Sequence, residues 1–383
     1  MKLSKLTTGL TAAALLFSSV TASIEAASTA AASTSFKDVK SSDWYYSSIQ
    51  KLISKELVNG FEDGTFKPNQ EISRAEFLKL VDLSLQLDIP ANLSGKPWYT
   101  PYVSAAVEAG IHRTSDFNGN WTQPISRQEM ARITVRAIDQ TLRNTKTSDT
   151  QLVYEATKRG ILSGLTGGEL GLKENSTRAQ ATVIVDRVLT VLNGGNLTAD
   201  KRAASYAEVA YRGTNIETMW GGRIDSLPLS ENLSYNVRGT FNQILVIDMS
   251  DSNSPFKNWV PGLLKESRKD WINDYLVAFN ITMEVVKTAT NTNLYFKEMV
   301  GNPYLETAII YPFNLKSKLN SNDKINLGEK NKITTWYLAT IDRKKLEFFK
   351  TKNWPFFYFD WNNKGNHIWF SKEGRLFPDG LDK

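Results

Sequence analysis

The sequence contains no cysteine and only two histidines, His112 and His367, in 383 residues. Disulfide scaffolds, structural zinc ribbons and cysteine nucleophiles are thereby excluded, and His-based metal sites or Ser-His-Asp catalysis have almost nothing to be built from. No cofactor and no metal are expected. Charge of one sign does not dominate either: 46 basic residues stand against 40 acidic ones, a net of +6. The first 20 residues carry +2, the stretch to about residue 199 is neutral, and the rest carries about +4. With no basic block, nucleic acid is a poor candidate partner. Long apolar runs are missing as well. The composition that remains, 41% hydrophobic and 22% charged, is that of a folded chain long enough for two or three domains.

The N-terminus reads as a secretory signal over 1–27. Lys2 and Lys5 give a positive start, Leu10 to Val20 a short apolar core, and Ile24-Glu25-Ala26-Ala27 a cleavage site. The core is too short to cross a bilayer and is interrupted by Ser and Thr. Residues 28–35, rich in Ala, Ser and Thr, form a leader. Export is the expectation, with no membrane partner after cleavage.

Between 36 and 193 the chain repeats itself. Ile72-Ser73-Arg74-Ala75-Glu76, Ile125-Ser126-Arg127-Gln128-Glu129 and Ser176-Thr177-Arg178-Ala179-Gln180 recur with their arginines 53 and 51 residues apart. In each unit an amphipathic helix leads to a Gly-rich loop, and the motif opens an apolar helix. In the first unit Ser41-Ser42-Asp43 offers N-cap oxygens, Asn59-Gly60 a helix end, and the Asp63-Gly64 bend shapes the loop. Ser/Thr-x-x-Glu/Gln is a capping box, which satisfies two orphan backbone donors reciprocally. That does not explain an arginine at the first helical position, where the dipole disfavours a cation. An anion held between guanidinium and free amides would.

These units resemble S-layer homology domains. The first carries Phe36-Lys37-Asp38-Val39, Trp44, Gly60-Phe61-Glu62-Asp63-Gly64-Thr65-Phe66-Lys67-Pro68 and Ile72-Ser73-Arg74-Ala75-Glu76. The second keeps Trp98, Trp121, Pro124 and Ser126-Arg127-Gln128-Glu129 but lacks the opening Phe-x-Asp. The third lacks that opening and the aromatic loop residue, and has Gln180 in place of Glu. The resemblance implies three repeats (36–88, 89–144 and 145–195) forming one all-α pseudo-trimer prism. It further implies grooves that bind a peptidoglycan-linked secondary cell-wall polymer, typically ending in a pyruvylated sugar whose carboxylate is the anion. By motif position, Arg74, Arg127 and Arg178 would clamp that carboxylate, with Ser73, Ser126 and Thr177 capping beside them. Glu76, Glu129 and Asp38 belong to the same polymer-binding set, and Asp63 and Gly64 shape the groove edge. Trp44 and Trp98 stand equally for sugar stacking and for core packing. Arg178, in the most divergent unit, is expected to contribute least.

Beyond Asn193-Gly194-Gly195-Asn196 the pattern changes, and 200–383 reads as a mostly β domain with a sandwich as the architecture considered. Strand candidates are 241–249, 275–286, 294–299, 307–311, 334–341 and 356–359. Helices are considered at 201–211 and 259–271. The aromatic run Trp354-Pro355-Phe356-Phe357-Tyr358-Phe359-Asp360-Trp361, with Trp369-Phe370, suits a core, a carbohydrate platform or an interface. Asp248, Asp251, Glu284 and Asp360 form no glycosidase motif. The reading is non-catalytic wall anchoring of an exported Gram-positive surface or S-layer protein, with other surface subunits as further partners. Its alternative is an anchored enzyme acting on glycan or peptide.

Overall fold

The computed structural model describes residues 35–92, 94–117, 119–225, 227–260, 273–290, 292–307, 318–319, 324–361 and 366–377. The expected signal at 1–27, nearly all of the leader, and most of the helix considered at 259–271 lie outside these residues.

Six helices come in three pairs: α1 (Tyr46–Ser54) with α2 (Arg74–Ser84), α3 (Thr100–Glu108) with α4 (Arg127–Ile138), and α5 (Asp149–Lys158) with α6 (Arg178–Leu192). The second helix of each pair starts at the arginine of the repeated motif because a full capping box precedes it in all three cases. One core joins the pairs through Ile49, Leu52, Phe77, Val81, Ala106, Ile133, Val153 and Ile184. The residues just before the helices tie the repeats together. The Ile72 amide donates to Ser176 O (3.0 Å), Ser176 to Ile125 O (2.9 Å) and Ile125 to Ile72 O (2.9 Å), a closed ring of three backbone bonds.

Two local expectations of the first repeat are corrected. Helix α1 stops at Ser54, five residues before Asn59-Gly60, with Glu56 in the left-handed region at φ 58°. Gly60 serves a different purpose: a Cβ there would lie 2.1 Å from the Phe36 ring. Asp43 does not cap α1 through its side chain; its carboxylate accepts from the Lys40 amide at 2.8 Å.

Helices α7 (Lys201–Arg212) and α8 (Ile216–Trp220) follow, the former as the sequence suggested. The remainder is β-rich and antiparallel. Strands β1 (Leu229–Asn232), β2 (Val237–Asp248), β3 (Asp274–Val285), β6 (Glu306–Thr307) and β8 (Lys332–Asp342) form a sheet in the order β1-β2-β3-β8-β6. β5 (Val300–Gly301), β9 (Tyr358–Trp361) and β10 (Asn366–Trp369) form a smaller one in the order β10-β9-β5, and β4 (Asn293–Tyr295) pairs with β7 (Lys324–Asn326). Residues 294–299, expected as one strand, instead divide between β4 and a turn of helix, α9 (Phe296–Met299). Glu298 accepts from the Tyr295 amide at 2.9 Å, and Phe296 and Met299, three apart, are both buried. Helix α10 (Arg343–Lys352) was not foreseen.

The large sheet is buried on both faces, which departs from a simple two-sheet sandwich. One face meets the small sheet through Phe241, Phe279, Phe359 and Phe370. The other face, with Leu245, Leu276, Trp336 and Leu338, is covered by Phe256 and Val260 and by Tyr206 and Val209 of α7. On its other side α7 contributes Ala207 to the helical core. One helix therefore serves two cores.

Candidate functional site

The amides that open the three motif helices are already engaged. Arg74 and Ala75 donate to Gln123 O and Trp121 O, Arg127 and Gln128 to Glu174 O and Leu172 O, and Arg178 and Ala179 to Gln70 O and Pro68 O, all at 2.8–3.1 Å. The third amide of each helix is held by Ser73, Ser126 or Thr177 at 3.3 Å. The expectation of free amides beside each arginine is corrected: neighbouring repeats consume them, because each loop must satisfy its carbonyls as it packs. Only the guanidinium groups remain to meet an anion.

Those guanidinium groups differ. Arg74 is locked in a bidentate pair with Glu129, Nη2 to Oε1 at 2.6 Å and Nε to Oε2 at 3.2 Å, and its Nη1 donates to Asn120 O at 3.0 Å. Arg127 donates only to carbonyls, Leu170 O at 2.8 Å and Ser163 O at 2.5 Å. Arg178 likewise donates to Phe66 O at 2.9 Å and Asn59 O at 3.2 Å, with Phe61 and Phe66 rings 4.9 and 4.7 Å from its Cζ. Among the described residues neither has a carboxylate within ion-pair reach. Burial pushes both pKa values down, opposed by Glu174 near Arg127 and by Glu76 and Asp38 near Arg178. Arginine stays charged regardless.

Each unpaired arginine lines a groove. The first, about 360 Å³, brings together Arg178 of the third repeat, Asn59, Phe66 and Glu76 of the first, and Trp98 of the second. The second groove, about 270 Å³, has Arg127 of the second repeat, Ser163, Gly164 and Gln180 of the third, and Trp44 of the first. Both of these grooves thus draw on three repeats. The core-packing reading of the tryptophans is corrected: Trp44 is 64% exposed and Trp98 48%, so neither is a core residue. Lys79 sits 5.8 Å from the Trp98 ring, and Arg187 adds a second cation beside Arg127, donating to Ile161 O and Ser163 Oγ. The third repeat has no tryptophan to complete a matching groove over Arg74. Instead, Phe117 lies 5.0 Å from the Arg74 Cζ.

Other sequence candidates support the loops. Asp38 accepts from the Phe66 and Lys67 amides, both at 2.8 Å, which fixes the loop that Arg178 reaches. Asp63 accepts from the amide and hydroxyl of Thr65, holding its pKa down, and Gly64 takes the bend at φ 77°. Glu76 and Glu129 close capping boxes on Ser73 and Ser126, and only Glu129 also binds an arginine. Arg187 and Lys79 were missed. Both lie within apolar helices, and their sole signal was a cation on a face otherwise facing the core.

Residues 35–78 match the family model of the S-layer homology domain. The chain is 30% identical over 157 residues to the surface-layer 125 kDa protein of Lysinibacillus sphaericus, covering 38% of this chain and 13% of that protein. It is 28% identical over 171 residues to an amylopullulanase of Thermoanaerobacterium thermosulfurigenes, covering 39% and 9%. Against the S-layer protein sap of Bacillus anthracis the identity is 34% over 119 residues, covering 28% and 14%. The chain therefore spans only about a tenth of these relatives' length. Among the described residues no helix is long and apolar enough to cross a membrane, and no cluster suited to a metal ion occurs.

Proposed function

We propose that the chain, whose residues 35–78 match the S-layer homology domain, is an exported surface protein held non-covalently on a Gram-positive cell wall by the grooves between its three repeats. The repeats, in this reading, form a pseudo-threefold prism, and the ligand is a secondary cell-wall polymer ending in a pyruvylated sugar. The observation that carries it is the pairing, twice over, of a guanidinium without a carboxylate partner, buried at Arg127 and half-buried at Arg178, with a half-open tryptophan across one groove. The guanidinium clamps the ketal carboxylate with charge-assisted bonds, while the indole stacks on the sugar. Arg127 and Arg178 are the clamps, Trp44 and Trp98 the stacking faces. Ser73, Ser126, Thr177, Glu76, Glu129, Asp38, Asp63 and Gly64 hold the loops and helix ends in place, and Arg74 braces the repeats through Glu129. The non-catalytic repeats leave any enzymatic role to the C-terminal region, and relatives named as enzymes keep that alternative in view. The test is retention of the full chain on purified wall sacculi. Wild type should be retained, acid treatment that strips the pyruvyl group should release it, and the double variant Arg127→Ala, Arg178→Ala should flow through. Undiminished retention of the double variant would overturn the reading.

A further inference from the structure

The small sheet turns a second set of side chains outward. Antiparallel pairing places Tyr358 opposite Trp369 and Asp360 opposite His367. Because side chains alternate along a strand, these four share one face while Phe359 and Ile368 enter the core. The Tyr358 and Trp369 rings are 4.9 Å apart, and His367 Nδ1 lies 2.6 Å from Asp360 Oδ1. On the other side of Asp360, β5 places Gly301 in register, and a Cβ built there would meet nothing within 4 Å. Among the described residues the floor beside the carboxylate is open. Trp354, 45% exposed, extends the strip: its Nε1 donates to the Tyr304 hydroxyl at 3.3 Å, and the Tyr304 ring lies 6.1 Å from Tyr358.

We propose that this strip is a second glycan-binding site, one that takes a neutral polysaccharide chain and is independent of the wall anchor. A sugar ring offers an apolar C–H face rimmed by hydroxyls, and the strip offers flat aromatic faces with polar tips in between. The Asp360–His367 pair is a fixed hydrogen-bonding group at the edge of an unfilled floor, the arrangement that orients a ligand with few polar contacts. Its carboxylate also selects by charge, since an acidic polymer end is repelled here and attracted in the arginine grooves. A protein partner would call for a continuous apolar core, which Asp360 and His367 interrupt.

The experiment titrates the full chain with chitohexaose, cellohexaose, xylohexaose and maltohexaose, followed by calorimetry and tryptophan fluorescence. At least one should bind. Gly301→Leu should fill the floor and weaken binding by more than about tenfold without lowering the melting temperature, since its Cβ has free space and the position is not in the left-handed region. Trp354→Ala should cost about tenfold, the scale of one aromatic contact. The Arg127→Ala, Arg178→Ala variant should bind these sugars like wild type, which separates this site from the anchor. The proposal is overturned if none of the four sugars binds or if Gly301→Leu leaves binding unchanged. It is equally overturned if sedimentation shows that the same substitutions abolish self-association of the chain, which would give the strip to a second copy.

Discussion

Arg74 and Arg127 hold the same place in successive repeats and differ by one residue opposite them. Arg74 faces Glu129 and is neutralised; the matching capping residue for Arg127 is Gln180, which closes its own box on Thr177 without supplying a charge. Gln180, one of the departures that marked the third repeat as weakest, thus offers Arg127 no carboxylate, while Glu76 closes the Ser73 box without pairing Arg178. Arg127→Ala and Arg178→Ala should each weaken wall binding by about 1.5–3 kcal/mol, the range for a hydrogen bond to a charged group, and Arg74→Ala by much less. Lysine should not restore either site, because the planar fork is lost. Gln180→Glu should keep the capping box yet lower affinity, by giving Arg127 an internal partner; surface plasmon resonance on immobilised polymer reads all of these. Asp82 supplies a pH-dependent counterpart. It is fully buried with neither oxygen partnered, and burial pushes its pKa up to about 8. A raised carboxyl pKa favours the folded state below the unfolded value near 3.8 and loses that contribution as pH rises toward 8. Melting temperatures across pH 4–9 should fall more steeply for wild type than for Asp82→Asn, with a limit of about 1.4 kcal/mol per pH unit from this one group. Parallel curves would show that Asp82 is not the source.

Among elements, what could be read from the sequence was what is decided locally. The three capping boxes place the starts of α2, α4 and α6 because Ser or Thr, Glu or Gln and the amides they satisfy lie within four residues. Ser126→Ala should accordingly cost about 1 kcal/mol in chemical denaturation, the usual worth of such a cap. The long strands β2, β3 and β8 were legible too, since runs such as Ile244-Leu245-Val246-Ile247 leave few other options. What was decided at a distance was not legible. The ring joining Ile72, Ser176 and Ile125 consumes amides that a single repeat leaves open. The aromatic run near the C-terminus divides by strand alternation, Phe359 inward and Tyr358 outward, a split fixed only by the register with β10. Helix α10 hid behind its charge: Arg-Lys-Lys-Leu-Glu-Phe-Phe-Lys buries only Leu346 and Phe349, and its cap comes from Asp342 at the end of a strand.

At the scale of the whole molecule, α7 decides how independent the two halves are. The sequence changes pattern beyond Asn193-Gly194-Gly195-Asn196, as at a boundary between two domains. Yet Ala207 lies in the helical core, while Tyr206 and Val209 pack on the large sheet, Tyr206 against Phe256 at 4.9 Å. A further tie runs from Lys158 of α5 to Glu217 of α8, and Asn215 holds Val246 through two hydrogen bonds at 2.7 and 2.9 Å. A fragment ending at 197 would expose the face of α5 that α7 covers, whereas one ending at 213 keeps it covered. The longer fragment should melt higher, by about 2–4 °C for each kcal/mol that α7 contributes. Both should bind sacculi, because the two grooves lie wholly within residues 44–187. Removing the third repeat should abolish binding altogether, since that one deletion takes Arg178 from one groove and Ser163, Gly164 and Gln180 from the other. Equal melting temperatures for the fragments ending at 197 and 213 would reduce α7 to a tether, and the two halves of the chain would then unfold independently of one another.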